Sequence, residues 1–321
     1  MLISIVTPSF NQAAFLEATM RSVLQQEGVA IEYFVIDGGS TDGSLDIIRR
    51  YAGRLAGFVS EPDSGQAEAI NKGLHRARGE IFAWLNSDDL LAPGAARAAA
   101  DAFSRRPDAG LVYGNAVSID ERGRPLNEMT FRPYSLTDLA KFSIICQPAV
   151  FARREVVQAV GGVDPSYHLI LDHHLWLRIA AQAPLVHVAQ VWAFARKHPG
   201  AKNVAQAGAF GAEAARLVAG IEADRVLSGK LRDMIRPIRA HAERFSARYL
   251  LDAGQAGPAA RGYLRALYLS PPAGIREWHR LLFSLLSLIG LGGLGRLFYR
   301  LKARRMPRSM RDVPNVQNLY S

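Results

Sequence analysis

The residues in this 321-residue chain best suited to chemistry are Asn86-Ser87-Asp88-Asp89, which follow directly on the apolar run Ile81 to Leu85. A run of that length fits one buried strand, and it stops at two adjacent carboxylates. Side by side at a strand end, these repel each other unless a cation or a donor-rich ligand stands between them. Hard oxygen donors suit Mg²⁺ or Mn²⁺, ions that commonly travel with phosphates. Asp also caps helices well, and the helix expected after Pro93 offers that simpler role; the pair alone fits either reading. A further acid, Asp172, stands in the first turn of a helix marked by Leu171, Leu175 and Ile179. One placed carboxylate there could take a proton from a hydroxyl, or could simply face the positive end of the helix dipole. His173 and His174 come next, but neighbouring residues on a helix point to different faces. They are expected as solvated or ligand-facing side chains and not as a metal pair.

Positioning these residues requires a scaffold, and the first half of the chain repeats one pattern. Ile3 to Thr7, Tyr33 to Ile36, Leu55 to Val59 and Ile81 to Leu85 each run into a polar, turn-rich cluster and then a helical stretch. The clusters are Pro8-Ser9-Phe10-Asn11, Asp37 to Gly43, Glu61-Pro62-Asp63-Ser64-Gly65, and the Asn-Ser-Asp-Asp element. Strand–helix units repeated in this way predict a doubly wound, largely parallel sheet. Ligands of such sheets bind beyond the carboxyl ends of the strands, where every one of these clusters falls. The Asp37 to Gly43 run does not match the G-x-G-x-x-G spacing of a dinucleotide fingerprint. An acid at that strand end suits the N–H of a base or the O–H of a ribose better than a pyrophosphate.

Composition excludes several classes. With 49% hydrophobic residues the chain is not disordered. Its single cysteine, Cys146, leaves no internal disulfide, fits a reducing compartment, and sits in an apolar run as a small core residue. The opening Met1 to Val6 reads as a strand without a basic leader, so a cytoplasmic location is expected. The net charge of +10 suggests a nucleic-acid partner only until its distribution is read: from Pro271 onward nine Lys or Arg face two acids, leaving +3 elsewhere. No nucleic-acid partner is expected.

Five segments in order carry a resemblance. Thr7-Pro8-Ser9-Phe10-Asn11, Ser22 to Gln26, Val35 to Gly43, Ser60 to Gly65 with Ala69-Ile70-Asn71-Lys72-Gly73, and Asn86 to Asp89 together resemble a family 2 glycosyltransferase of bacterial polysaccharide type. The resemblance covers about residues 1–200 and implies a GT-A (Rossmann-like) α/β fold, a mostly parallel sheet flanked by helices, with a helical extension over 201–321. It implies an inverting transfer of a sugar from a nucleotide-sugar donor to a hydroxyl of a glycan or lipid-linked acceptor. Thr7, Pro8, Asn11, Asp37, Asp63, Asn86 and Ser87 would then contact the donor, and Asp88 would bind a divalent metal, with Asp89 and His198 as further candidates. The first position of the metal element is Asn86 where an acid is usual; an amide still hydrogen-bonds but adds no charge. Ile144 to Phe151 and Gly161-Gly162-Val163-Asp164 resemble acceptor-side segments, Asp172 matches the catalytic base, and Arg196-Lys197-His198-Pro199-Gly200 closes the domain. Any of Arg196, Lys197 or His198 could offset charge on the leaving diphosphate, or could lie in an exposed loop. A nucleotidyltransferase would share the sheet and acids, but the Pro8 to Asn11 turn lacks the basic Gly-rich loop it needs. A non-catalytic membrane adaptor on the same fold is the remaining alternative.

The last third is Ala-rich and helical in pattern. Leu281 to Gly295 carries no charge, yet at ~1.5 Å per residue it falls short of a ~30 Å hydrocarbon core. With Trp278 before it and Arg300, Lys302, Arg304 and Arg305 after it, the run predicts peripheral contact with an anionic membrane at the inner face of the cell, or a buried helix.

Overall fold

A computed structural model describes residues 1–200, 206–291 and 316–320. The chain forms two compact units, Met1–Ser135 with Ile144–His198 and Ser309–Ser321, and Leu136–Ser143 with Pro199–Arg308. The first unit is built on β1 (Leu2–Ser9), α1 (Ala13–Leu24), β2 (Ala30–Asp37), α2 (Ser44–Arg50), β3 (Gly57–Ser60), α3 (Gln66–Arg76), β4 (Ile81–Trp84), β5 (Leu90–Leu91) and α4 (Ala95–Arg105). It continues with β6 (Leu111–Ile119) and β7 (Pro125–Met129), then, after α5 (Leu136–Ala140) of the second unit, β8 (Val150–Arg153), α6 (Arg154–Ala159), α7 (Leu171–Ala180) and β9 (Leu185–Arg196).

The strands lie in one mixed sheet of order β3-β2-β1-β4-β8-β6-β9-β5, with β7 paired to β6. The first four are parallel, as the strand–helix pattern predicts. In the other half, β8 runs antiparallel to both β4 and β6, and β5 antiparallel to β9. The chain winds outward from β1 to β3 and returns to β4 on β1's other flank. This reversal opens a crevice beyond the carboxyl ends. The register places Ser9 opposite Asp37, Asp37 opposite Ser60, and Val6 opposite Trp84, so the polar clusters end at one level. Buried Ile3, Ile5, Val35, Ile81 and Phe151 form the core beneath them.

Residues 316–320 also belong to this unit. Val316 and Tyr320 are buried with Leu90, Val117, Ile119 and Phe194. The Tyr320 hydroxyl donates to the Leu91 carbonyl, and Arg21 Nη1 donates to the Tyr320 carbonyl at 3.0 Å.

The second unit is helical: α8 (Phe210–Ala223), α9 (Arg225–Leu231), α10 (Ile235–Asp252), α11 (Ala256–Leu269), α12 (Pro271–Ile275) and α13 (Trp278–Leu288). Arg244 pairs with Glu277 at 2.6 Å, both largely buried. Leu281 and Phe283 of α13 pack on Ala247, Leu251 and Tyr263, while Trp278, Leu282, Leu285 and Ile289 remain exposed. The expected apolar run is therefore helical to Leu288, with one face half-buried; residues 292–295 and the basic residues beyond lie outside the described residues. No helix among the described residues is long and apolar enough to cross a membrane.

Candidate active site

At the end of β2 the fully buried Asp37 organises its own loop. Its Oδ2 accepts from the Gly39 and Ser40 amides at 3.2 and 3.0 Å and from Ser60 Oγ at 2.7 Å, and its Oδ1 accepts from Ser40 Oγ at 2.5 Å. The turn needs glycine: Gly39 has φ +81°, and a Cβ on Gly38 would stand 3.0 Å from the Asp63 carboxylate. Asn11, itself left-handed at φ 52°, fastens the first loop to the second. Its amide N–H donates to Ser40 Oγ at 2.8 Å and its Oδ1 accepts from the Thr41 amide at 2.9 Å. Asp63 differs from Asp37. Its Oδ1 accepts from the Gly65 amide at 2.9 Å, whereas its Oδ2 accepts nothing among the described residues. Burial first, then the nearby Glu68 and Asp37 charges, pushes its carboxyl above the usual range despite the opposing pull of Gly65 and Lys72.

Thr7 is wholly buried, its hydroxyl 2.8 Å from that of Tyr33. A contact from Thr7 to a ligand would therefore have to be made by backbone. Its neighbour Ser9 presents a buried Oγ with no partner among the described residues.

Beyond β4 the two adjacent acids diverge. Asp88 Oδ2 lies 3.0 Å from His198 Nε2, and both side chains are largely covered. Asp89 turns inward: its Oδ1 accepts from the Arg196 amide at 2.9 Å and its Oδ2 from Asn86 Nδ2 at 3.3 Å. Burial, and after it the Asp88 charge, raises the Asp89 carboxyl well above its ordinary range. Asn86 Oδ1 accepts in turn from Gln66 Nε2 at 2.7 Å, tying the start of α3 to the loop. Ser87 is buried, and the Thr19 hydroxyl lies 2.9 and 2.8 Å from the Ser87 and Asp89 carbonyls. Arg196 is 4% exposed, so it is no loose loop cation. Its Nε donates to the Asp88 carbonyl at 2.9 Å, its Nη1 to the Asp120 and Glu121 carbonyls at 3.1 and 3.0 Å, and its guanidinium stacks 4.9 Å over Phe15.

Asp172 is half-buried in the first turn of α7, its Oδ1 accepting from the His173 amide at 2.8 Å. One turn on, Trp176 stacks on Trp84 of β4 at 5.0 Å, which holds the helix against the strand that leads to Asp88. Burial, then the charges of Asp89 and Asp172, raises the Cys146 thiol, with Lys197 opposing. Solvated positions for His173 and His174 are overturned. His173 is buried, and His174 packs on Tyr167 at 4.1 Å, where burial and then Arg178 lower its pKa to about 4. The α7 helix turns one face to the core and the other to the Val163–Tyr167 turn, leaving neither histidine in water.

No cluster of three or more metal-ligating side chains occurs among the described residues. Asp88 and His198 together offer one carboxylate and one imidazole. That donor set fits an ion such as Mg²⁺ or Mn²⁺, which takes few protein ligands and fills its shell with phosphate oxygens and water.

A family model described as "Glycosyl transferase family 2" matches residues 4–161. The PGL/p-HBAD biosynthesis glycosyltransferase of Mycobacterium tuberculosis (strain ATCC 25177 / H37Ra) is 31% identical over 193 residues, 58% of this chain and 72% of that protein. The chain belongs to glycosyltransferase family 2. The putative teichuronic acid biosynthesis glycosyltransferase TuaG of Bacillus subtilis (strain 168) is 35% identical over 159 residues, 48% of this chain and 63% of that relative's length. Among solved structures, S. aureus TarS 1–349 in complex with UDP-GlcNAc aligns with TM-score 0.60 at 16% identity, over 94% of this chain and 92% of that one. The mannosyltransferase PcManGT from Pyrobaculum calidifontis, in complex with GDP-Man and Mn²⁺, aligns with TM-score 0.59 at 20% identity, over 90% and 86%. Both likenesses establish the GT-A fold.

Within this family 2 framework, four polar residues escape a reading of motifs: Ser9, Gln66, Gln147 and the structural role of Arg196. Only Gln66 carried a local signal, opening a helix next to the Asp63 turn. Gln147 and Arg196 are defined by distant partners, the Trp84 carbonyl for the first and the Asp88, Asp120 and Glu121 carbonyls for the second.

Proposed function

We propose that this chain is an inverting, metal-dependent glycosyltransferase, its catalytic part within residues 1–200. It moves a sugar from a nucleotide-sugar donor to a hydroxyl of a glycan or lipid-linked acceptor in surface polysaccharide assembly. The observation that carries the reading is the gathering of Asp63, Asn86 and the Asp88–His198 pair beyond the carboxyl ends of β1 to β4, with Asp172 on the helix packed against β4. The names of the relatives, in teichuronic acid and PGL/p-HBAD biosynthesis, support the acceptor class.

Asp63, one of whose oxygens accepts nothing among the described residues, is the better acceptor for a nucleobase N–H; Asp37, buried and holding four hydrogen bonds from Gly39, Ser40 and Ser60, shapes the loop around it. Asp88 and His198 would hold the divalent ion, which when bound neutralises the diphosphate and so eases its departure. Asp89 and Arg196 fix the backbone of that loop. Asp172 takes the proton of the acceptor hydroxyl as its oxygen attacks the anomeric carbon, and the C–O bond to the diphosphate breaks with its electrons going to the diphosphate. A single base with in-line attack gives inversion.

The exposed Trp278, Leu282 and Leu285 of α13, with Ile289 just after it, suit shallow contact with an anionic membrane at the cytoplasmic side. The catalytic reading is tested by titrating UDP and GDP with Mn²⁺ into the wild type and Asp88→Ala. Mn²⁺-dependent binding in the wild type, lost in the variant, supports it. Equal affinity with and without Asp88 refutes the assignment of the metal.

A further inference from the structure

Residues 316–320 close over the edge of the sheet at the point where the acidic loop enters it. β5 is the last strand in the sheet order and pairs, among the described residues, with β9 alone. Its other flank is therefore open to whatever can cover it. Leu91 shows what does. Its amide donates to Ser22 Oγ of α1 at 3.1 Å, and its carbonyl accepts from the Tyr320 hydroxyl. The segment is held in turn from two sides. The Val316 amide donates to the Gly123 carbonyl at 3.1 Å, in the turn between β6 and β7, and Arg21 Nη1 of α1 donates to the Tyr320 carbonyl at 3.0 Å. Val316 and Tyr320 are 0% and 4% exposed, packed with Leu90 of β5 and Phe194 of β9.

Those two strands deliver the proposed metal pair. Asp88 stands just before β5, and His198 just after β9. Leu90 lies opposite Phe194 in the register, and both belong to the apolar cluster that the segment completes. The 3.0 Å approach of Asp88 Oδ2 to His198 Nε2 therefore depends on how β5 sits against β9. β5 has only 2 residues, a short ladder with which to fix that placement. Thr19 and Arg196 hold the backbone of the loop before the strand. Tyr320 holds the strand itself, giving a donor to a carbonyl that is costly to bury unpaired.

We propose that residues 316–320 are a strap that sets the spacing of Asp88 and His198, with Tyr320 as its positioning residue. This rests on the glycosyltransferase reading above, in which that pair holds the divalent ion. The donor site is then completed by a segment that follows the whole helical unit in sequence.

The test is calorimetry of UDP and GDP with the full chain, in Mn²⁺ and in EDTA, using whichever nucleotide the wild type binds better. In Tyr320→Ala, and in a chain shortened after residue 315, affinity in Mn²⁺ should fall about tenfold, the order of one net hydrogen bond. Affinity in EDTA should not change, because the strap acts through the metal pair. Tyr320→Phe keeps the ring and removes the hydroxyl, so it should fall between the wild type and Tyr320→Ala. Should the shortened chain fail to fold, the two point variants carry the test. Unchanged affinity in Mn²⁺ for a folded Tyr320→Ala overturns the proposal. Equal losses in Mn²⁺ and in EDTA overturn it too, since they would mark a general weakening of the fold. A wild type without Mn²⁺-dependent nucleotide binding refutes the glycosyltransferase reading itself, before any substitution is examined.

Discussion

Replacing Arg196 with Ala should loosen the catalytic unit and its acidic loop together. The guanidinium donates to the carbonyls of Asp88, Asp120 and Glu121 and covers Phe15. Bonds from a charged donor contribute about 1.5–3 kcal/mol each, and Nη1 divides its donation between two carbonyls, so two full bonds are the fair count. Stacking on the ring adds about 0.5–1 kcal/mol. Burial, the largest influence on this side chain, lowers the Arg196 pKa, and relief of that cost returns part of the sum. A net loss of about 2–4 kcal/mol results. For a unit of this size each kcal/mol moves the melting temperature about 2–4 °C, so a fall of about 5–15 °C is expected by differential scanning calorimetry. Arg196→Lys should fall between, since an ammonium on a flexible stem cannot reproduce the planar fork. The same substitutions should weaken Mn²⁺-dependent nucleotide binding, because the Asp88 backbone loses its anchor. A melting temperature within about 2 °C of the wild type would show that the three carbonyls find water at little cost, and the reasoning would fail.

Asp172→Asn should leave donor affinity intact while turnover drops about 10²–10⁴-fold; a variant with near-normal turnover moves the base elsewhere. His174, held near pKa 4 when folded against an ordinary 6.5, binds fewer protons folded than unfolded between those values. Its contribution to stability is therefore full above pH 6.5 and is lost as pH falls toward 4, by up to about 3 kcal/mol. His174→Phe should flatten urea-unfolding stability across that window, and an unchanged slope counts against the assignment. Replacing Leu282, Leu285 and Ile289 with Ser should release the protein from phosphatidylglycerol vesicles in a flotation assay without lowering donor hydrolysis in solution. Equal flotation discards the membrane contact.

The parallel half of the sheet was legible because each of its strands is followed by its own turn and helix, a pattern confined to about 25–30 neighbouring residues. The other half was not, since β8 finds β4 and β9 finds β5 only through contacts far apart in sequence. The same distance explains the acids. Nothing near Asp88 and Asp89 distinguishes them. The Arg196 amide claims Asp89 and the His198 ring meets Asp88 only once β9 has crossed the sheet. Thr7 reads as a polar residue at a strand end, yet its hydroxyl is taken by Tyr33 on the neighbouring strand. Adjacent histidines on a helix suggest exposure until the Tyr167 turn folds over one of them.

Asn86 gives and takes at once, donating to Asp89 and accepting from Gln66. A carboxylate at position 86 could still accept from Gln66, but it would face the buried Asp89 with nothing to donate. Asn86→Asp, which puts a third acid into the loop, should therefore weaken the fold on its own. Asn86→Asp combined with Asp89→Asn restores a donor opposite an acceptor and should recover most of that loss. Two changes harmful singly and compatible together make these positions epistatic.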